Sequence, residues 1–81
     1  MMKVKVLVSL KEGVLDPQAK AITHALYAHG FDTLRHIKLS KEMILDMQES
    51  DPQRAYKLAE DMCEQLLANV VIEDYCIEIL Q

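Results

Sequence analysis

Residues 63–75 read Cys63-Glu64-Gln65-Leu66-Leu67-Ala68-Asn69-Val70-Val71-Ile72-Glu73-Asp74-Tyr75. This is a helix turning into a strand. Leu66, Leu67 and Ala68 close an amphipathic run, and Asn69 can take the left-handed conformation that ends a helix. Val70, Val71 and Ile72 then favour extended backbone. Upstream, Ser50-Asp51-Pro52-Gln53 opens this helix in one of two ways. Either Asp51 caps it with Pro52 at the first position, or Ser50 pairs with Gln53 as a capping box. Ala55, Leu58, Ala59, Met62 and Leu66 form the apolar stripe, and the helix ends near Asn69. Downstream, Tyr75, Ile77 and Ile79 alternate with Asp74, Cys76, Glu78 and Leu80, as in a strand with two distinct faces.

The amino-terminal half repeats the same grammar. Val4, Val6 and Val8 alternate with Lys3, Lys5, Leu7 and Ser9, which predicts a half-buried strand. Lys11-Glu12-Gly13 is a turn. Asp16 caps a first helix, Pro17 takes its first position, and Gly30 ends it. From Thr33 to Gln48 the pattern has period two: Arg35, Ile37 and Leu39 share one alternation, then Met43, Leu45 and Met47. Two strands meeting near Ser40-Lys41 fit this pattern. One long bent strand exchanged between subunits is the alternative, because no Asn-Gly or Asp-Gly marks a hairpin.

The resulting order is strand, helix, strand, strand, helix, strand. That is an α+β fold of the ferredoxin-like, split βαβ type, with a four-stranded antiparallel sheet and two helices on one face. Eighty-one residues make a single domain spanning 1–81. A chain this short buries only about 60% of its unfolded surface. Yet 51% of its residues are hydrophobic, more than a small monomer needs. The second sheet face also keeps Leu7, Leu34, Ile44, Cys76 and Leu80, which makes it a candidate contact with another subunit.

Composition excludes several functions. A net charge of −4 disfavours a nucleic-acid ligand. No run approaches the roughly 18 apolar residues of a membrane span, and the amino terminus lacks a signal-peptide pattern, so a cytoplasmic, membrane-free protein is expected. Cys63 and Cys76 are far apart and read as free thiols. His24 and His29 lie roughly 140° apart around the first helix, so they do not converge on a metal, and His36 falls in a strand. Glu73 and Asp74 point to opposite sides of a strand and cannot work as a paired acid and base. Cys63 sits mid-helix, away from any feature that would lower its pKa. Gly13 and Gly30 are the only glycines, so no phosphate-binding glycine loop exists. The residues alone describe a non-catalytic interaction module. A regulatory module binding a small metabolite at a dimer interface is the alternative, and a small enzyme using a histidine in an oligomer cleft is a third reading.

Four segments carry a resemblance to a known family. They are the Cys63–Tyr75 junction, Val6-Leu7-Val8-Ser9-Leu10-Lys11-Glu12-Gly13-Val14-Leu15-Asp16-Pro17-Gln18, Gly30-Phe31, and Ile37-Lys38-Leu39-Ser40-Lys41. In this order, and over essentially the whole chain, they resemble the PurS family, the small subunit of bacterial and archaeal phosphoribosylformylglycinamidine synthase. Three positions depart from the family pattern: Ala19 and Ser40 stand where it usually has Gly, and Val70 where it often has Pro. These are backbone positions and bear on local turns.

The resemblance implies a subunit of a ligase complex with no catalytic residue, cofactor or metal of its own. In such a complex a glutaminase subunit (PurQ) releases ammonia. An ATP-using synthetase subunit (PurL), where ATP and Mg are expected, makes the amidine in the fourth step of purine synthesis. The small subunit, a homodimer or homotetramer, bridges the two. The expected docking residues are Asp16, Pro17, Gln18, Asn69, Glu73, Asp74 and Tyr75. They stand at helix boundaries, the start of the first and the end of the second, which under this fold can lie at opposite ends of a subunit.

Overall fold

A computed structural model describes residues 1–80. The elements are β1 (Met2–Leu10), α1 (Pro17–Ala28), β2 (Ser40–Met47), α2 (Pro52–Met62), which continues into a π turn at Cys63–Leu67, and β3 (Glu73–Ile79). The sheet order is β2-β1-β3, with both pairs antiparallel. β1 is central because its alternation puts Val4, Val6 and Val8 on one face, all essentially inaccessible to solvent. Leu45 and Ile79 flank Val4, and Met43 and Ile77 flank Val6.

α2 lies on this face through its smallest side chains. Ala55, Ala59 and Cys63 are fully buried, while Leu58 and Met62 flank the contact and stay exposed. Small residues let the helix backbone approach the valines closely, so the stripe at the interface is Ala55-Ala59-Cys63. Leu66 does not belong to it: it is 84% exposed. The π turn explains why. The Ala68 N–H donates to the Cys63 carbonyl at 3.1 Å, five residues back. That inserts one residue and moves the core-facing positions from Leu66 to Leu67 and the buried Ala68. Helix structure thus stops at Leu67, and residues 70–72 form a turn rather than the start of the strand. At the other end of α2, Asp51 is the cap, its carboxylate accepting the Gln53 N–H at 3.0 Å, with Pro52 first.

Two expectations fail. The sheet has three strands, because residues 33–39 are not a strand and only Ser40–Met47 pairs with β1. The register runs from Met2 opposite Met47 to Ser9 opposite Ser40, which uses all of β1 but Leu10. Residues 33–39, including Leu34, Ile37 and Leu39, project past its end, where no neighbouring strand offers backbone groups. The helices also do not share a face. α2 packs on β1 and β3, whereas α1 makes no comparable contact with the sheet. Ala19 is its only buried residue.

α1 and residues 31–39 therefore form an arm extending from the body. The Tyr27 hydroxyl donates to the Leu34 carbonyl at 2.6 Å and ties the two parts of the arm together. The molecule measures 50 × 25 × 14 Å with a radius of gyration of 16.2 Å. A compact chain of this length would have a radius of about 12 Å.

Candidate functional site

Because β2 and β3 both run antiparallel to β1, their first residues lie beside the last residues of β1. α1 leaves from the same place. The start of α1 and the end of the α2–β3 connection therefore meet at one end of the molecule, not at opposite ends. A groove of about 480 Å³ joins them, lined by Ser9, Leu10, Asp16, Gln18, Lys41 and Glu73 among others. Beyond the last β1–β3 pair, the Lys11 N–H donates to the Ile72 carbonyl at 2.8 Å and holds the two connections together.

The docking candidates play different parts here. The Asp16 carboxylate accepts the N–H groups of Gln18 and Ala19 at 3.0 and 3.2 Å, with Pro17 at the first helical position. Gln18 is exposed, and its side chain makes no hydrogen bond among the described residues. Glu73 is committed to structure. Its carboxylate accepts the Asn69 N–H at 2.7 Å, and its own N–H donates to the Asn69 carbonyl at 2.7 Å. The Asn69 side chain accepts the Val71 N–H at 3.2 Å. The 69–73 turn is thus closed from within, and Lys41 Nζ lies 3.9 Å from the other Glu73 oxygen.

Asp74 is exposed on the outer sheet face, opposite Ser9. Tyr75 is on the inner face, half-buried, and its hydroxyl donates to Glu64 at 2.7 Å. That bond, with burial adding to it, pushes the Tyr75 hydroxyl up from 10.0 to about 12. Sequence reasoning missed Lys41 and Glu64. Both become visible only once the β1–β2 register and the helix position are known.

The outer sheet face collects most of the expected contact residues. Leu7 pairs with Cys76, and Ile44 lies opposite Lys5 on the other side of β1. Leu80 continues the β3 alternation, its N–H donating to the Lys3 carbonyl at 2.8 Å. Leu34 stands apart, in the arm. Both lysines on this face are paired: Lys3 with Asp46 at 2.8 Å, and Lys5 with Glu78 at 3.0 Å. The bond to Glu78 holds the Lys5 ammonium above its ordinary pKa.

Cys63 and Cys76 are free thiols, the first buried and the second exposed. Burial, reinforced by Glu64 and Glu60, pushes the Cys63 thiol up and disfavours its nucleophilic form. Among the described residues no cluster of three His, Cys, Asp or Glu could hold a metal ion, and no helix is long and apolar enough to cross a membrane. This end of the molecule thus combines recessed backbone, a capped helix start and exposed polar side chains.

Residues 3–81 match the family model described as PurS, phosphoribosylformylglycinamidine (FGAM) synthase. The chain is 48% identical over 79 residues to the phosphoribosylformylglycinamidine synthase subunit PurS of Bacillus subtilis, covering 98% of this chain and 93% of that one. The solved Bacillus subtilis PurS structure superimposes with a TM-score of 0.88 at 47% identity over 100% of both chains. Methanocaldococcus jannaschii PurS, described as one of the subunits of formylglycinamide ribonucleotide amidotransferase, gives a TM-score of 0.90 at 36% identity, covering 100% of this chain and 98% of that one. A chain of the PurLQS structure from Thermotoga maritima gives 0.87 at 26% identity, covering 98% and 96%.

Proposed function

Since this chain belongs to the PurS family of phosphoribosylformylglycinamidine synthase subunits, we propose that it is the non-catalytic bridge of that complex. It docks a glutaminase subunit to an ATP-dependent synthetase subunit in the cytoplasm, so that ammonia passes from one active site to the other. The chemistry requires such docking, because ammonia released into bulk water is protonated and diluted. In this reading ATP and Mg belong to the synthetase, and this subunit binds neither.

The observation that carries the proposal is the unfinished arm. α1 holds Ile22 and Tyr27 exposed, Leu15 precedes it and Phe31 follows it, also exposed. Residues 33–39 keep a strand pattern with no strand to pair with. Such surfaces are completed by other chains. A second copy is the first of them. The strand-patterned segment and the Leu7, Ile44, Cys76 and Leu80 face give a homo-oligomer its contacts. The one-ended groove, with Asp16, Gln18 and the 69–73 turn, is then left to a different enzyme subunit.

Reconstitution with the two enzyme subunits tests the bridge. Glutamine-dependent amidation should require this chain, while ammonia-dependent amidation by the synthetase should not. Replacing Gln18 and Asp74 together, both exposed and neither holding a turn, should lower the glutamine-dependent rate at limiting subunit while leaving the fold intact. Equal glutamine-dependent rates with and without this chain would remove the bridging role. Sedimentation at micromolar concentration tests self-association. A species of only 9.3 kDa would count against it, and Leu7→Glu or Ile44→Glu should weaken it by exposing an unpaired carboxylate to the contact.

A further inference from the structure

Between Leu66 and Ile72 the chain leaves large apolar side chains in solvent: Leu66 is 84% exposed, Val71 79%, Ile72 39% and Val70 37%. Neither the helix nor the turn needs them there. Polar groups close the turn. The Glu73 carboxylate accepts the Asn69 N–H, the Asn69 side chain accepts the Val71 N–H, and the Asn69 carbonyl accepts the N–H groups of Ile72 and Glu73. Positions 70–72 supply only backbone to this scheme, yet all three are β-branched and apolar, where turns usually carry Gly, Asn or Ser. At Leu66 the π turn is responsible. In a regular α-helix Leu66 would stand three positions after Cys63, on the buried stripe, and the inserted residue turns it out. Such π turns recur at functional sites. Leu66 and Val71 are five positions apart, so their Cα atoms lie within about 18 Å of each other even along a fully extended chain. An interface of ordinary size covers about 800 Å² per partner, wide enough to take both.

The charge around this stretch decides what covers it. No Lys or Arg follows Lys57, whereas Glu60, Asp61, Glu64, Glu73, Asp74 and Glu78 do. Lys57 lies 3.7 and 3.3 Å from Glu60 and Asp61, Lys41 3.9 Å from Glu73, and Lys5 3.0 Å from Glu78. Glu64 and Asp74 have no such cation among the described residues, and Glu64 accepts the neutral Tyr75 hydroxyl. These two carboxylates flank the apolar stretch along the chain. Two copies meeting there about a two-fold axis would set like charges against each other, and an anionic lipid surface is repelled in the same way. We infer that Leu66 and Val71 insert into an apolar pocket ringed by lysine and arginine on an enzyme subunit of the complex, with Glu64 and Asp74 meeting the ring. The turn is already fixed by its own hydrogen bonds, so little order is lost on docking. The inference rests on the bridging function proposed above and adds to it the anchors and the partner's chemistry. The stretch borders the groove of Asp16 and Gln18, because the Lys11 N–H donates to the Ile72 carbonyl.

The test is the affinity of the full chain, in its own oligomeric state, for the glutaminase and synthetase subunits together, by biolayer interferometry at two ionic strengths, with sedimentation following self-association. Leu66→Ser combined with Val71→Ser should weaken binding by about tenfold or more, as truncation of anchors does, and should leave the fold and the oligomeric state unchanged. Asp74→Lys should weaken it by less, and the parent's affinity should fall as salt rises. Tyr56→Ser, exposed on α2 outside the stretch, should change neither. Deletion of Leu66 is an independent check. It removes the inserted residue, so Leu67 and Ala68 reach the core face of a regular helix, and docking should weaken with the fold retained. Should the double variant not fold, the deletion and Val71→Ser alone decide. The proposal is overturned, with the bridge intact, if the parent binds and the folded variants bind equally well, or if the parent's affinity does not fall with salt. It is equally overturned if the variants alter self-association alone, because the stretch then serves a second copy. If the parent binds neither enzyme subunit, the bridging function falls and the proposal falls with it.

Discussion

In the body, Val4, Val6 and Val8 meet Ala55, Ala59 and Cys63 with essentially no exposure to solvent, and Lys3, Lys5, Lys41, Arg54 and Lys57 each have a carboxylate nearby. In the arm, Ala19 is the one buried side chain among the twelve residues of α1, and Lys20, Arg35 and Lys38 have no such partner among the described residues. The body buries its inner sheet face on α2 and pairs five of its cations with carboxylates, while Leu7, Ile44 and Leu66 stay exposed on its surface. The arm does neither, although its sequence is as regular. A helix gains most of its stability from tertiary packing of an apolar face rather than from propensity. By that measure the arm, unlike the body, gains little stability from its own chain.

The sharpest way to break this contrast is to place a charge in each region. Val6→Asp buries an unpaired carboxylate under α2 and should cost several kcal/mol, about 3 or more, enough to abolish a cooperative thermal transition by circular dichroism. Ala59→Leu forces a larger side chain between α2 and the sheet and should cost about 1–3 kcal/mol in urea unfolding. Glu73→Ala removes the acceptor of the Asn69 N–H and should cost about 1–2 kcal/mol, with hydrogen exchange increasing at residues 69–73. Ile22→Asp in the arm should change the stability of a monomeric body by no more than about 0.5 kcal/mol, yet should impair association by sedimentation. A loss in the body as large as that of Val6→Asp would show that the arm packs on its own sheet.

The smallest effect sharpens the account of how α2 is held to β3. The Tyr75 hydroxyl has a higher pKa in the folded chain than its ordinary value, so its bond to Glu64 favours folding while the hydroxyl stays protonated. That contribution is complete below pH 10.0 and is lost as pH rises to about 12. The stability difference between the parent and Tyr75→Phe should be constant from neutral pH to about pH 9 and should close towards pH 12. A difference that persists above pH 12 would assign the effect to packing of the ring.

Much of the fold was legible in the order of residues. Asp16-Pro17 and Asp51-Pro52 mark helix starts because a short carboxylate caps and proline suits the first turn, a local effect. The valine alternation of β1 and the Met43-Leu45-Met47 and Tyr75-Ile77-Ile79 faces follow from the period of a strand. The family wording around Cys63–Tyr75 was legible as well. Other features were not. Residues 33–39 have a strand's pattern, but a strand exists only where a neighbour presents backbone groups, and β1 is used up by Ser40–Met47. Leu66 has a core residue's spacing, but one inserted residue in the π turn moves that face to Leu67 and Ala68. Glu73 reads as a solvated strand entry, yet it is the acceptor that closes the Asn69 turn.

The sequence by itself determined where helices begin, which strand faces are apolar and which family the chain resembles, because each depends on neighbours within a few positions or on wording. Only the tertiary structure decided that Asp16, Gln18 and Glu73 share one end, that α1 makes little contact with the sheet, and that Lys11, Lys20, Arg35 and Lys38 line one groove. Those outcomes depend on antiparallel register and on which surfaces find a partner, and both join residues that lie far apart along the chain.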